Sequence, residues 1–255
     1  MKKLLVSLMA VMLLLAFSAS FAEDLTNHSL DDLTARRQEL IDELTQVNAL
    51  RGAMLRQQVE DGVMPEEALG KIIDLFPDEE LAKIIRDKCG KFSIEQPVTQ
   101  ADLDNIEQLL GLYNDIHDFT GIRYLRNLTY FHANEHYDGA FPEELRFCRL
   151  LSTLSLYSNP NITAIPDWIG ELVNLQWVDF HSDNIVQLPD SFCDLTNLEY
   201  LDLGRNINLV ALPDSIGNLK NLQNLYISQT AITELPESIW NLTLSYIDMS
   251  GLPIR

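Results

Sequence analysis

The chain is poor in cysteine, in positive charge and in long apolar runs. Cys89, Cys148 and Cys193 are an odd set at wide spacing, so neither a disulfide framework nor a cysteine-based metal motif is written here. At most one intramolecular bridge is possible, and none is expected, because Cys148 falls on an apolar repeat position where a thiol acts as a small hydrophobe. Only 18 lysines and arginines stand against 38 aspartates and glutamates, a formal charge of -20. Nucleic acid and anionic membranes are thereby excluded as natural partners, while a basic partner would be steered in faster. No glycine-rich phosphate loop or nucleophile elbow occurs, so no enzyme and no cofactor is expected.

What is present begins with a leader. Lys2 and Lys3 precede an apolar run from Leu4 to Phe17, with small residues at Ser20 and Ala22. This pattern predicts a secretory signal peptide over residues 1–22, too short in its apolar part for the roughly 20 residues that span a bilayer. No membrane span is expected, and the mature protein is expected outside the cell or at its surface. Residues 23–64 read as an amphipathic helical segment, with Leu33, Leu40, Leu44, Val47 and Met54 at helical spacing. Residues 65–118 read as shorter helices, one from near Pro77 to Gly90 and another, "ADLDNIEQLLG", opened by Thr99 with Asp102 as a capping box.

From residue 119 to 255 the chain repeats itself. An apolar residue, a proline and an acid recur at Pro142, Pro166, Pro189, Pro213 and Pro236, at spacings of 24, 23, 24 and 23. Between them runs L-x-x-L-x-x-L-x-L-x-x-N, clearest in "LTNLEYLDLGRN" from Leu195 to Asn206. A period in the twenties is one turn of a solenoid: a short strand, a bend and a return along the outer face. No turn buries its own leucines, so stacked turns must share one core. Asn159 and Asn206 fall where the chain leaves the strand, placed to satisfy backbone groups; Asp183, Thr230 and His136 replace asparagine there, and a weaker ladder is expected at those turns.

On these motifs residues 119–255 resemble the leucine-rich repeat superfamily, in the class with "LPxxIxxLxxLxxL" units. "FPDEELAKIIRDKCGK", "VTQADLDNI" and "GIRYLRNLTYF" resemble the helical cap of bacterial internalins, although internalin repeats lack the LP opening. The resemblance implies an α/β solenoid, a horseshoe of about six turns behind an all-helical cap, in a bacterial secreted or surface protein whose repeats grip another protein.

The strand residues that flank the inward leucines face the concave side. They nominate Tyr130, Tyr157, Trp177, Asp179, His181, Tyr200, Asp202 and Tyr226 as the partner-binding face, since rings supply contact area and acids direction. The same rings would suit a carbohydrate or cell-wall ligand, the alternative reading. "HANEH" from His132 to His136 imitates a zinc-peptidase motif but lies on a strand and a bend rather than a helix, and the acids after the prolines are explained by the turns they begin; no metal site is expected. The last unit, "LSYIDMSGLPIR", is expected to turn Ile247 and Met249 inward. A homodimer through its strand edge is one expectation, and loss of further repeats the other.

Overall fold

The computed structural model describes residues 67–112, 116–134 and 139–253. These belong to the second of two units, Gly62–Arg255. The leader, the amphipathic segment at 23–64 and His136 lie outside the described residues.

The cap is not made of helices alone. Strand β1 (Ala68–Lys71) is followed by a single turn, α1 (Ile72–Leu75), and by α2 (Glu79–Lys88); β2 (Pro97–Thr99) then pairs antiparallel with β1. A helix through "EEALGK" loses to this pairing because Gly70 weakens it and Val98 and Thr99 are β-branched. Helix α2 forms as expected. The Asp78 carboxylate accepts the Leu81 N–H at 3.0 Å, acids fill the first turn and bases the last, and Leu81, Ala82 and Ile85 are buried. The Thr99–Asp102 capping box is also present, with Asp102 accepting the Thr99 N–H at 2.9 Å. Its helix, α3 (Gln100–Leu103), stops after one turn, since β3 (Gln108–Leu109) joins the main sheet ahead of residue 119.

That sheet is parallel and seven-stranded, with β3 to β9 in sequence order: β4 (Tyr130–His132), β5 (Thr153–Ser155), β6 (Trp177–Asp179), β7 (Tyr200–Asp202), β8 (Asn224–Tyr226) and β9 (Tyr246–Asp248). Returns run through 3₁₀ turns at Ile122–Tyr124, Glu143–Phe147, Asp167–Glu171, Asp190–Asp194, Ile216–Asn218 and Glu237–Asn241. Glu143, Asp167, Asp190 and Glu237 open their turns directly after proline, while Asp214 stands two residues ahead of its own. Proline presets the entry and the acid favours the positive end.

Middle residues of the strands, Phe131, Leu154, Val178, Leu201 and Leu225, are fully buried in one core continuous with the cap. Each such side chain contributes on the order of 2 kcal/mol. The turns stack so closely that a Cβ on Gly217 would lie 2.2 Å from the Ser238 carbonyl oxygen. At the last turn β9 has one neighbour strand among the described residues, and Ile247 is half-buried. Met249, expected inward, is 41% exposed, because no described turn stacks against its outer side.

Two asparagine rows clamp the coil. In the inner row the amide of Asn159 donates to the carbonyls of Ala133 and Leu156, and that of Asn206 to Phe180 (2.8 Å) and Leu203 (2.9 Å). Thr230 donates only to Ile227 at 2.9 Å, a thinner clamp, as the missing amide implies. An outer row escaped the sequence reading: Asn127, Asn174, Asn197 and Asn221 donate to the carbonyls of Asp104, Arg149, Val173 and Thr196 one turn back. Its signal is the asparagine just before the second leucine of the unit, interrupted at Leu150.

Candidate recognition face

Parallel pairing in constant register lines up the outward strand residues. Tyr130, Thr153, Trp177, Tyr200, Asn224 and Tyr246 form one column; His132, Ser155, Asp179, Asp202, Tyr226 and Asp248 form the next. Neighbouring strands lie about 4.8 Å apart, so aromatic residues in adjacent turns are forced into contact. The Trp177 and Tyr200 rings stack with centroids 3.6 Å apart and an angle of 4° between planes. Tyr226 lies 5.2 Å from both Tyr200 and Tyr246, tilted by 41° to each, which extends the row across four turns. Just past the strands, Tyr157 and His181 stack at 4.6 Å. Tyr130 stands apart from this row, 40% exposed, with the small Thr153 between it and Trp177.

The acids of the second column have a local task that sequence reasoning missed. Asp179, Asp202 and Asp248 each accept, through Oδ1, the backbone N–H two residues on: His181 at 3.1 Å, Gly204 at 2.8 Å and Ser250 at 2.9 Å. This is the side-chain-to-backbone turn in which Asp excels. The recurring signal was "VDFH", "LDLG" and "IDMS". His181 Nδ1 lies 2.8 Å from the same Asp179 oxygen, and that hydrogen bond raises the imidazole above its ordinary value. Burial pushes Asp202 up, the Gly204 N–H draws it down, and the neighbouring charge of Asp179 pushes it up again. One ligand atom each from Asp179, His181 and Asp202 lies within 4.8 Å of the others. His132 sits on β4, held below its ordinary value by burial.

Residues 58–104 match the family model described as bacterial adhesion/invasion protein N terminal, and residues 149–207 and 197–219 match leucine-rich repeat models. Over these residues the chain carries leucine-rich repeats behind an internalin-like cap. Internalin H of Listeria monocytogenes is 41% identical over 54 residues, 21% of this chain and 10% of that protein. An internalin (inlF) structure from Listeria monocytogenes shares the fold, with a TM-score of 0.52 and 22% identity over 70% of this chain and 57% of that one. A leucine-rich repeat protein of Leptospira interrogans is similar at 26% identity and a TM-score of 0.50, over 60% of this chain and 39% of that one. The chain thus spans about a tenth of the length of the curated relative it matches.

The three cysteines are free thiols. Burial pushes Cys89 up to about 11 and Cys148 up to about 12. Among the described residues no helix is long and apolar enough to cross a membrane.

Proposed function

We propose that the chain is an exported recognition module that grips a protein on its concave face, around Trp177 and Tyr200, without catalysing a reaction. The observation that carries this reading is the row of four contacting rings on one face of the sheet, with Tyr200 and Tyr226 half-buried and Trp177 45% and Tyr246 49% exposed. Large rings held in place lose little freedom on binding, which makes them anchors. In this reading residues 1–22 direct export, 23–64 space the domain, 65–118 cap it and 119–255 carry the partner. Likeness to leucine-rich repeat and internalin-like proteins supports a protein–protein interaction role.

Affinity capture from secreted and cell-surface proteins tests it. A specific partner should be retained by the wild-type chain and by Trp240→Ala, and lost on Trp177→Ala. Equal retention by both variants would move the site off this face. Glycan binding, which would use the same rings as stacking platforms, is the competing reading. A glycan array with a Trp177-dependent signal and no protein capture would favour it instead.

The edge of β9 supports a second copy as a further partner, because Ile247 there is only half-buried and Met249 is 41% exposed. Light scattering should then show a dimer that Met249→Lys converts to a monomer; a concentration-independent wild-type monomer would remove this contact.

A further inference from the structure

The concave columns carry acid without base. Asp179, Asp202 and Asp248 share the second column, Glu199 is exposed just ahead of β7, and the two strand columns contain no lysine or arginine among the described residues. His132 and His181 are the imidazoles beside them, and Arg205 is exposed at the bend after β7. The carboxylates lie against the ring row: the Tyr200 hydroxyl is 3.5 Å from Asp202 Oδ2. Bend formation engages Oδ1 of Asp179 and of Asp202, which leaves Oδ2 of Asp179, and Oδ2 of Asp202 beside the Tyr200 hydroxyl, to take another donor. Gly204 puts no side chain beside Asp202, where a Cβ would sit 3.0 Å from Oδ1, so that flank of the carboxylate is not covered by residue 204.

We infer that the partner presents an arginine to this face, its guanidinium laid on the Trp177–Tyr200 rings and its N–H groups shared between Asp179 and Asp202. The inference rests on the recognition reading above and names the chemistry of its partner. Arginine fits better than lysine because a planar guanidinium stacks on aromatic faces and forks onto carboxylates at the same time. A cation also answers a local imbalance, since Asp202 is half-buried beside a second carboxylate and its ionised form is disfavoured by both burial and that neighbour. The surplus of acid along the whole chain steers such a partner toward the protein, and the ring row decides where it stops.

Fluorescence anisotropy with the full chain at physiological salt tests the contact. The probe is a labelled octapeptide of alternating arginine and serine, compared with the same peptide carrying citrulline, which keeps the plane and removes the charge. The arginine peptide should bind at least about tenfold more tightly than the citrulline peptide. The double variant Asp179→Asn/Asp202→Asn should lose at least about tenfold, its amide oxygens still able to hold the bends. Asp190→Asn/Asp214→Asn, the same change of charge on the outer return, should bind as the wild type does. Equal binding of the two peptides, or an equal loss in the outer-return variant, overturns the inference, because either outcome reports general attraction. Zn²⁺ bound at the Asp179–His181–Asp202 trio in calorimetry, with no arginine-specific binding, would also overturn it in favour of a metal. If a protein partner is captured in a Trp177-dependent way and the double Asn variant retains it, the arginine contact fails while the recognition face stands. Capture indifferent to Trp177→Ala removes both.

Discussion

Asp183 accepts the backbone N–H of Asn159 at 2.6 Å, one turn of the coil holding the next through a carboxyl that is 2% exposed. Its second oxygen has no hydrogen-bond partner. Burial pushes the group up to about 9, against about 4 in an unfolded chain. A neutral carboxyl therefore stands where its neighbours place an amide.

Stability should fall as pH rises from about 4 to about 9, because the native chain keeps a proton there that the unfolded chain has released. Below about pH 4 both forms carry the proton and the loss vanishes. The slope is bounded at about 1.4 kcal/mol per pH unit. Asp183→Asn should flatten this slope and be the more stable form at pH 8, as urea titrations at pH 5 and pH 8 will show; parallel slopes would mean that Asp183 is ionised in the fold.

Leu203→Asp should unfold the repeats, since Leu203 is fully buried and an unpaired charge would enter the shared core. Asp202→Ala, one residue away and half-buried, loses the bond to the Gly204 N–H and should cost only about 1 kcal/mol. Circular dichroism and melting temperature distinguish the two.

Gly217→Ala should destabilise by roughly 1–3 kcal/mol, the range for overpacking. The added methyl meets the Ser238 carbonyl, a backbone atom that cannot swing aside as a side chain would. An unchanged denaturation midpoint would show that the two outer turns separate at little cost.

Trp168 and Trp240 are both off the concave face, yet only one is a clean control. Trp168 is buried, donates from Nε1 to Glu143 at 2.7 Å and meets Phe141 edge-on. Trp168→Ala should lower the melting temperature, with a cost of about 3 kcal/mol. Trp240→Ala should leave melting unchanged within about 0.5 kcal/mol.

The thiols should resist a disulfide reagent at pH 8 in the native protein and react in urea, because burial raises all three above their ordinary value. Rapid native modification of Cys148 would show that the second turn opens readily.

The repeats were legible because each structural demand recurs: Pro166 and Pro189 mark successive returns, and Leu201 with Leu203 marks a strand by alternation. Register then follows by addition of one repeat, which sets Trp177 opposite Tyr200 on neighbouring strands. The cap was less legible. Leu103, Ile106, Leu109 and Leu112 lie three apart and suit a helix face as well as a turn of the coil, and only pairing with β4 decides between them. Nor does Asp202 declare from one residue type whether it faces a partner or holds its own bend; here it is placed to do both. The outer asparagines were passed over because an exposed amide beside a leucine carries no apolar period.

Those two asparagine rows also bear on how such a protein changes over generations. They fasten turn to turn through side-chain amides and backbone carbonyls, and none of these bonds involves the side chains of Tyr130, Thr153 or Asn224. Substitutions at these columns can alter what the surface prefers while the frame survives, and a gene carrying this domain can try new specificities one codon at a time.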